Sequence, residues 1–234
     1  MKSTLARRPE DSAILSAREE PERAHFMLDN PLRGRFNAWL LARLDGYMHG
    51  KYADVKSRLF GNMPPVAVEL GPGAGANLRY LPAGTRLIAV EPNRHMHGAL
   101  RRRAEQYRID LDLREFPGDA LDLPSASVDF VFASLVLCSV VKPEAVLAEV
   151  RRVLRPGGRF ACIEHVVAPD GSGIRVLQRL LARPWRWMFE GCELCRDTAS
   201  TLRAAGFSEV ELQPLVLPTV LLPIRYQIVA VCRE

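Results

Sequence analysis

Between Val66 and His165 the chain repeats one alternation, in which short apolar runs are separated by glycine or proline breaks and by amphipathic helical stretches. VAVEL, RLIAVE, LDLREF, the start of SVDFVFASLVL, and RFACIEHV read as five strands. Helical stretches fall between them: a short one from about Ala76, one through HMHGALRRRAEQY, and a strongly periodic one in PEAVLAEVRRVL. The last has Pro143 near its first turn, where proline is tolerated, and stops at Arg155-Pro156-Gly157-Gly158. Strand alternating with helix requires crossover connections, so a mostly parallel sheet with helices on both faces is predicted. The tail breaks the pattern. After a helix near TASTLRAAGF, the runs SEVELQPL and IRYQIVAVC follow with no helix between them, which predicts an antiparallel hairpin closing one sheet edge.

Ahead of the alternation the chain is different. Residues 1–24 are charged without apolar periodicity and read as a mobile arm, and residues 25–63 read as a helical leader or lid. From about Pro31, Phe36, Leu40, Leu44, Tyr47 and Met48 recur at helical spacing, with Trp39 and Leu41 widening the stripe. A second helix is predicted through Val55 to Phe60, ending at Gly61 before Pro64-Pro65. Residues 64–234 form the main domain.

The 234 residues are 48% hydrophobic and 25% charged, a globular balance that needs no disulfide or metal staple. No run of 18 apolar residues predicts a membrane span, and the first residues lack the apolar core of a secretory signal. Five cysteines without framework spacing point to reduced thiols in the cytoplasm. The net charge is +5, with arginines bunched at 101–103, at 151, 152 and 155, and at 183 and 186. Solvated helix faces account for them best, which argues against nucleic acid and leaves peripheral contact with anionic lipid open. The oligomeric state is left open.

The sharpest local signal is Val68-Glu69-Leu70-Gly71-Pro72-Gly73-Ala74-Gly75-Ala76-Asn77. Glycines at the end of a first parallel strand let backbone approach a ligand where a Cβ would collide. Alone, the string also fits a dinucleotide loop. Glu91, followed by Pro92, ends the second strand, where a carboxylate accepts ribose hydroxyls of either a dinucleotide or an adenosyl cofactor. Glu69 favours the second, because an acid beside the glycines suits an ammonium and repels pyrophosphate. Asp119, in Gly118-Asp119-Ala120, can accept a bond from an exocyclic adenine amine.

Taken together, Glu69 to Gly75, Glu91, Gly118-Asp119-Ala120 and Val153 to Gly158 resemble a class I S-adenosylmethionine-dependent methyltransferase over about residues 60–232. The resemblance implies a Rossmann-like α/β fold, with a seven-stranded, mostly parallel sheet and an antiparallel last strand. It implies S-adenosylmethionine across the carboxyl ends of strands one, two and four. The cofactor-binding set is then Glu69, Gly71, Gly73, Gly75, Asn77, Glu91, Pro92, Asp119, Ala120 and Leu135.

The second half carries a narrower likeness. Leu135 to Val140, Glu164-His165-Val166, Gln178, Pro184-Trp185 and Gly191-Cys192-Glu193-Leu194-Cys195-Arg196 resemble the methyltransferase-like thiol S-methyltransferases of animals. Two departures stand out: a charged arm in place of an apolar amino-terminal anchor, and Cys195 where that family usually has threonine. The resulting Cys192-x-x-Cys195 could be redox-active or half a zinc site, but a single such pair reads best as coincidence, and no metal is expected. A small hydrophobic acceptor, favoured as a thiol, is implied; an oxygen, nitrogen or carbon acceptor in a lipid, quinone or natural product is the rival. A binding protein that methylates nothing is a further alternative, and a nicotinamide oxidoreductase is the third. His165 stands where it could take a proton or stabilise a thiolate, unless backbone satisfies it at the strand end. Arg196 could supply fixed charge or pair with Asp197. Cys138 reads as a small wall residue beside the methyl. Trp39, Leu40, Tyr47, Trp185, Trp187, Met188 and Phe189 are the candidate roof.

Overall fold

A computed structural model describes residues 31–115 and 119–234; the charged arm expected over 1–24, the first residues of the leader, and Gly118 lie outside the described residues. Seven strands form one sheet: β1 (Val66–Leu70), β2 (Arg86–Val90), β3 (Asp110–Arg114), β4 (Val128–Ser134), β5 (Leu154–His165), β6 (Glu209–Val216) and β7 (Tyr226–Arg233). Their order is β3-β2-β1-β4-β5-β7-β6. β1 to β5 pair in parallel, and β7 runs antiparallel to both β5 and β6. The hairpin read from the tail is therefore present, with β6 at the edge.

The central strands are mostly apolar because both faces are covered. Along β4, Val131 enters one core with Val68, Leu147 and Phe160, while Phe130 and Phe132 enter the opposite core with Leu87 and Leu100. Each fully buried phenylalanine contributes about 1.5–3 kcal/mol, so this two-sided burial dominates the sheet's stability. The order reverses between β1 and β4, which opens a crevice at the carboxyl ends of β1, β2 and β4.

Among the described residues five α-helices surround the sheet: α1 (Pro31–Phe60), α2 (Arg94–Tyr107), α3 (Pro143–Val153), α4 (Gly173–Met188) and α5 (Thr198–Ala204). Two expectations are corrected. The leader is one 30-residue helix rather than two, since Gly46 and Gly50 lie within it and no proline interrupts it after Pro31. After the glycine turn there is only a 3-10 turn at Leu78–Tyr80 instead of an α-helix. Helix α1 is fixed at its end by Phe60, which is fully buried with its ring 4.8 Å from that of Phe132. Near its start, Gly34 sits so close to α2 that an added Cβ would lie 2.8 Å from the His95 ring. Among the described residues no helix is long and apolar enough to cross a membrane.

Arginines that looked bunched in sequence are mostly paired. Arg103 meets Asp45, Arg151 meets Glu234, Arg152 meets Glu149, Arg155 meets Asp129, and Arg186 meets Glu193. This neutralisation suits solvated faces rather than a phosphate-binding surface.

The turn after β1 gives a stability test. Gly71 has φ +57°, and an added Cβ would lie 2.7 Å from Val136 Cγ2. Gly71→Ala should destabilise the protein by about 1–3 kcal/mol, from left-handed strain and displacement of Val136. Denaturant unfolding with an unchanged slope would read the loss directly, and an unchanged midpoint would contradict it.

Candidate active site

The crevice holds a cavity of about 470 Å³. Of the sequence-predicted residues, Gly71, Gly73, Asn77, Glu91, Pro92, Asp119, Leu135, Cys138 and His165 line it. Gly75 and Ala120 lie outside its lining, as do Glu69 and Arg196. Gly75 instead packs under the turn, where a Cβ would come within 3.0 Å of Leu78 and 3.1 Å of Leu100. Ala120 is exposed.

At the glycine end, Gly73 (φ +57°) has no atom within 4 Å of where a Cβ would stand, so the bend leaves open space beside the backbone. Glu91 accepts from the Gly73 N–H and the Asn93 N–H, each at 2.8 Å, and burial raises its pKa. Glu69 is fully buried behind the turn. Its Oε1 accepts from Asn77 Nδ2 at 2.7 Å, whereas Oε2 is buried without a hydrogen-bond partner. Burial pushes its pKa up to about 7, against the Asn77 bond and a nearby cation. That cation is Lys56, near the end of α1, whose Nζ donates to Asn77 Oδ1 at 2.6 Å. Burial lowers its pKa to about 8. Lys56 was missed in the sequence, where a lysine in a helix reads as solvated.

The other end of the cleft is built on Glu164, also fully buried. Its carboxylate accepts from the backbone N–H groups of Val136 (2.8 Å), Leu137 (2.9 Å) and Cys138 (3.3 Å). Burial still moves its pKa upward. Those bonds fix the loop after β4, where Leu135 takes φ +59°, a conformation non-glycine residues seldom adopt. Arg196 donates to the Leu137 and Val140 carbonyls of the same loop, the latter at 2.7 Å. It holds the loop from outside the cavity, and its charge opposes protonation of His165.

Cys138, His165 and Cys192 converge in this chamber. His165 Nε2 lies 3.0 Å from Cys192 Sγ, and Cys192 Sγ lies 3.7 Å from Cys138 Sγ. Trp185 donates its indole N–H to Cys192 Sγ at 3.3 Å. Hydrogen bonding from Cys138 and then from His165 outweighs burial and drives the Cys192 thiol well below its ordinary value. Burial alone would lower the His165 pKa, but the bond and charge of Cys192 raise it. The pair is therefore biased toward thiolate and imidazolium. His165 Nδ1 is buried without a partner. Cys195, by contrast, is exposed, so Cys192 is turned toward residues 27 and 54 positions away rather than toward its neighbour in the C-x-x-C string.

The roof is only partly as expected. Trp185 and Phe189 line the cavity, and Trp39, Leu40, Tyr47, Trp187 and Met188 do not. Leu44, Met48 and Tyr52, one stripe of α1, cover it instead. Tyr47 ties α1 to the loop before β7, its hydroxyl accepting from the Val220 N–H at 2.8 Å.

A doubly wound sheet with its crevice at the order reversal, a glycine bend, a carboxylate near the end of β1 and another directly after β2 define an S-adenosylmethionine-dependent methyltransferase. A family model described as a methyltransferase domain matches residues 68–162. Human thiol S-methyltransferase TMT1B is 35% identical over 206 residues, covering 83% of this chain and 84% of the relative. Human TMT1A is 34% identical over 192 residues, covering 77% and 78%. An S-adenosylmethionine-dependent methyltransferase from Thermotoga maritima superposes with a TM-score of 0.59 at 18% identity, over 82% of this chain and 92% of that one, which speaks for the fold. The chain belongs to the class I methyltransferase family that includes the thiol S-methyltransferases.

The Cys192–His165 pair makes a measurable prediction. Cys192→Ala removes the hydrogen bond and the charge that raise the His165 pKa against burial, leaving only Glu164 to raise it against burial and Arg196, so the pKa should fall. Imidazole NMR titration of the two proteins would show the drop; coincident curves would exclude the ion pair.

Proposed function

We propose that this enzyme transfers the methyl group of S-adenosylmethionine to the sulfur of a small hydrophobic thiol. The observation that carries the reading is a single cleft with two chemically distinct ends, acids and glycines at one and an apolar chamber with His165 and Cys192 at the other. The names of its relatives support the choice of sulfur. Bound S-adenosylmethionine supplies an already activated sulfonium methyl, so the protein's main tasks are alignment and exclusion of water.

Glu91 would exchange its backbone N–H partners for ribose hydroxyls, and Asp119 would accept from the adenine amine. Glu69, buried behind the turn with Oε2 unpartnered, would draw an ammonium by its charge through Asn77, which lines the cavity, while Lys56 matches the carboxylate of the same methionine moiety. Gly71, Gly73, Pro92 and Leu135 would shape the walls against the nucleoside. Gly75 and Ala120 would act from behind those walls. In the chamber, a His165 imidazolium would stabilise the acceptor as thiolate; a thiol near pKa 8.5 is already a few per cent ionised at neutral pH. Cys138 would be wall rather than nucleophile, since direct displacement forms no covalent enzyme intermediate, and Arg196 would position the loop. Residues 64–234 would form the methyltransferase domain, with 25–63 as its lid.

A cytoplasmic enzyme with peripheral membrane contact fits this assignment. Val176, Leu180 and Trp187 of α4 are exposed among arginines, a pattern suited to a lipid surface.

Two experiments test the reading. Because the Glu69 carboxyl is raised to about 7, it becomes protonated near neutrality rather than near 4.5, and the ionised form is what an ammonium requires. Calorimetric affinity for adenosylhomocysteine should therefore fall as pH drops below 7, approaching about tenfold per unit, and Glu69→Gln should flatten that limb. An affinity independent of pH between 6 and 8 would overturn the role. Glu91→Ala should weaken the same binding by about 1–3 kcal/mol. Turnover on thiols but not on matched phenols and amines is the expected acceptor profile; the reverse would replace sulfur with oxygen or nitrogen.

A further inference from the structure

We propose that Cys138, His165 and Cys192 form a three-ligand site for a thiophilic divalent cation, with zinc the best match, whose fourth coordination position opens into the cavity. The three side chains come from the loop after β4, the end of β5 and the turn after α4, and their candidate donor atoms all lie within 4.8 Å of one another. With zinc–sulfur bonds of about 2.3 Å, tetrahedral geometry sets two sulfurs about 3.8 Å apart. Cys138 and Cys192 already stand 3.7 Å apart. The His165 Nε2 to Cys192 Sγ distance of 3.0 Å need widen only by about half an ångström to reach the tetrahedral nitrogen–sulfur spacing.

The frame around the donors is rigid. Glu164 holds the Cys138 N–H, and the Cys138 carbonyl accepts from the Glu193 N–H at 2.8 Å, which locks the Cys192 turn to the same loop. The Trp185 indole N–H would remain on the Cys192 sulfur as an outer hydrogen bond, of the kind that orients a ligand and tempers its charge. Two sulfurs and one imidazole are soft donors that suit zinc over magnesium, calcium or manganese. A fully closed structural site would have a fourth protein ligand. Here the three residues are buried against protein on their outer sides and all face the cavity, the three-plus-one pattern of a catalytic zinc site.

Binding is proton-balanced. The cation takes Cys138 and Cys192 as thiolates and His165 as neutral imidazole, displacing to solvent whatever protons those groups carry, and in the loaded protein it supplies, in place of the His165 imidazolium, the positive charge that stabilises an acceptor thiolate. On the thiol reading above, which this extension rests on, an acceptor R–SH would enter the fourth position as thiolate and release its own proton. The sulfur lone pair would then form the bond to carbon as the carbon–sulfonium bond breaks, leaving a neutral thioether that binds the cation weakly.

Cobalt(II) titration of the full-length protein, purified reduced and stripped with chelator, tests the site without any methyl acceptor. One equivalent should produce a thiolate-to-cobalt charge-transfer band with tetrahedral visible bands, and zinc should bleach both. Cys138→Ser and Cys192→Ser should each lose most of the charge-transfer intensity, whereas Cys195→Ser, which alters only an exposed neighbour, should match the parent. Retained adenosylhomocysteine binding by calorimetry would show that the variants are folded. Absence of a cobalt–thiolate band in the parent, or the same band in folded Cys192→Ser, would overturn the proposal. Cobalt uptake without turnover of any thiol would count against the thiol reading alone. Thiol turnover by protein that takes up no cobalt would count against the metal site alone.

Discussion

A buried carboxylate must be satisfied by hydrogen bonds, and Glu164 takes its three from consecutive backbone N–H groups of Val136, Leu137 and Cys138. The loop after β4 consequently cannot shift in register without stranding a charge in the core, a cost of several kcal/mol. That constraint holds Leu135 in its left-handed conformation and places Val136 against Gly71. It also sets the Cys138 sulfur beside Cys192. Because His165 follows Glu164 directly, one strand end both clamps the loop and supplies the imidazole. The cofactor-facing wall and the acceptor chamber thus share a single support.

Glu69 is the counterpart at the other end of the cleft, and it is left incomplete. One of its oxygens is bonded to Asn77 and the other to nothing, while Lys56 stands on the far side of the same amide. A carboxylate and an ammonium thus stand on either side of one asparagine. In the sequence the acids stand out as the charges of this end. The lysine from α1 makes the site dipolar instead of simply anionic.

Much of this was legible in the chain. The alternation of strands and helices, the hairpin at the tail, the glycine turn and Glu91 follow from periodicity and local backbone chemistry, which act over a few residues. What escaped depends on the phase of a long helix or on contacts between distant segments. Dividing the leader after Met48 hid the continuous stripe of Leu44, Met48, Tyr52 and Lys56, four residues at one-turn intervals that face the cavity. Aromatic content drew attention to Trp39 and Trp187, which are exposed. Cys192 was read against Cys195 because they are close in sequence, but its actual partners arrive from two other crossovers. Local spacing could not supply that.

Helix α1 is a single rod, anchored at one end by Phe60 and Phe132 and resting near the other on α2 through Gly34. It brings Lys56 to Asn77 behind the glycine turn and places Leu44 and Met48 in the lining of the same cleft. A change in the seat of Phe60 is therefore transmitted along one rigid element to every part of the cleft that the helix lines.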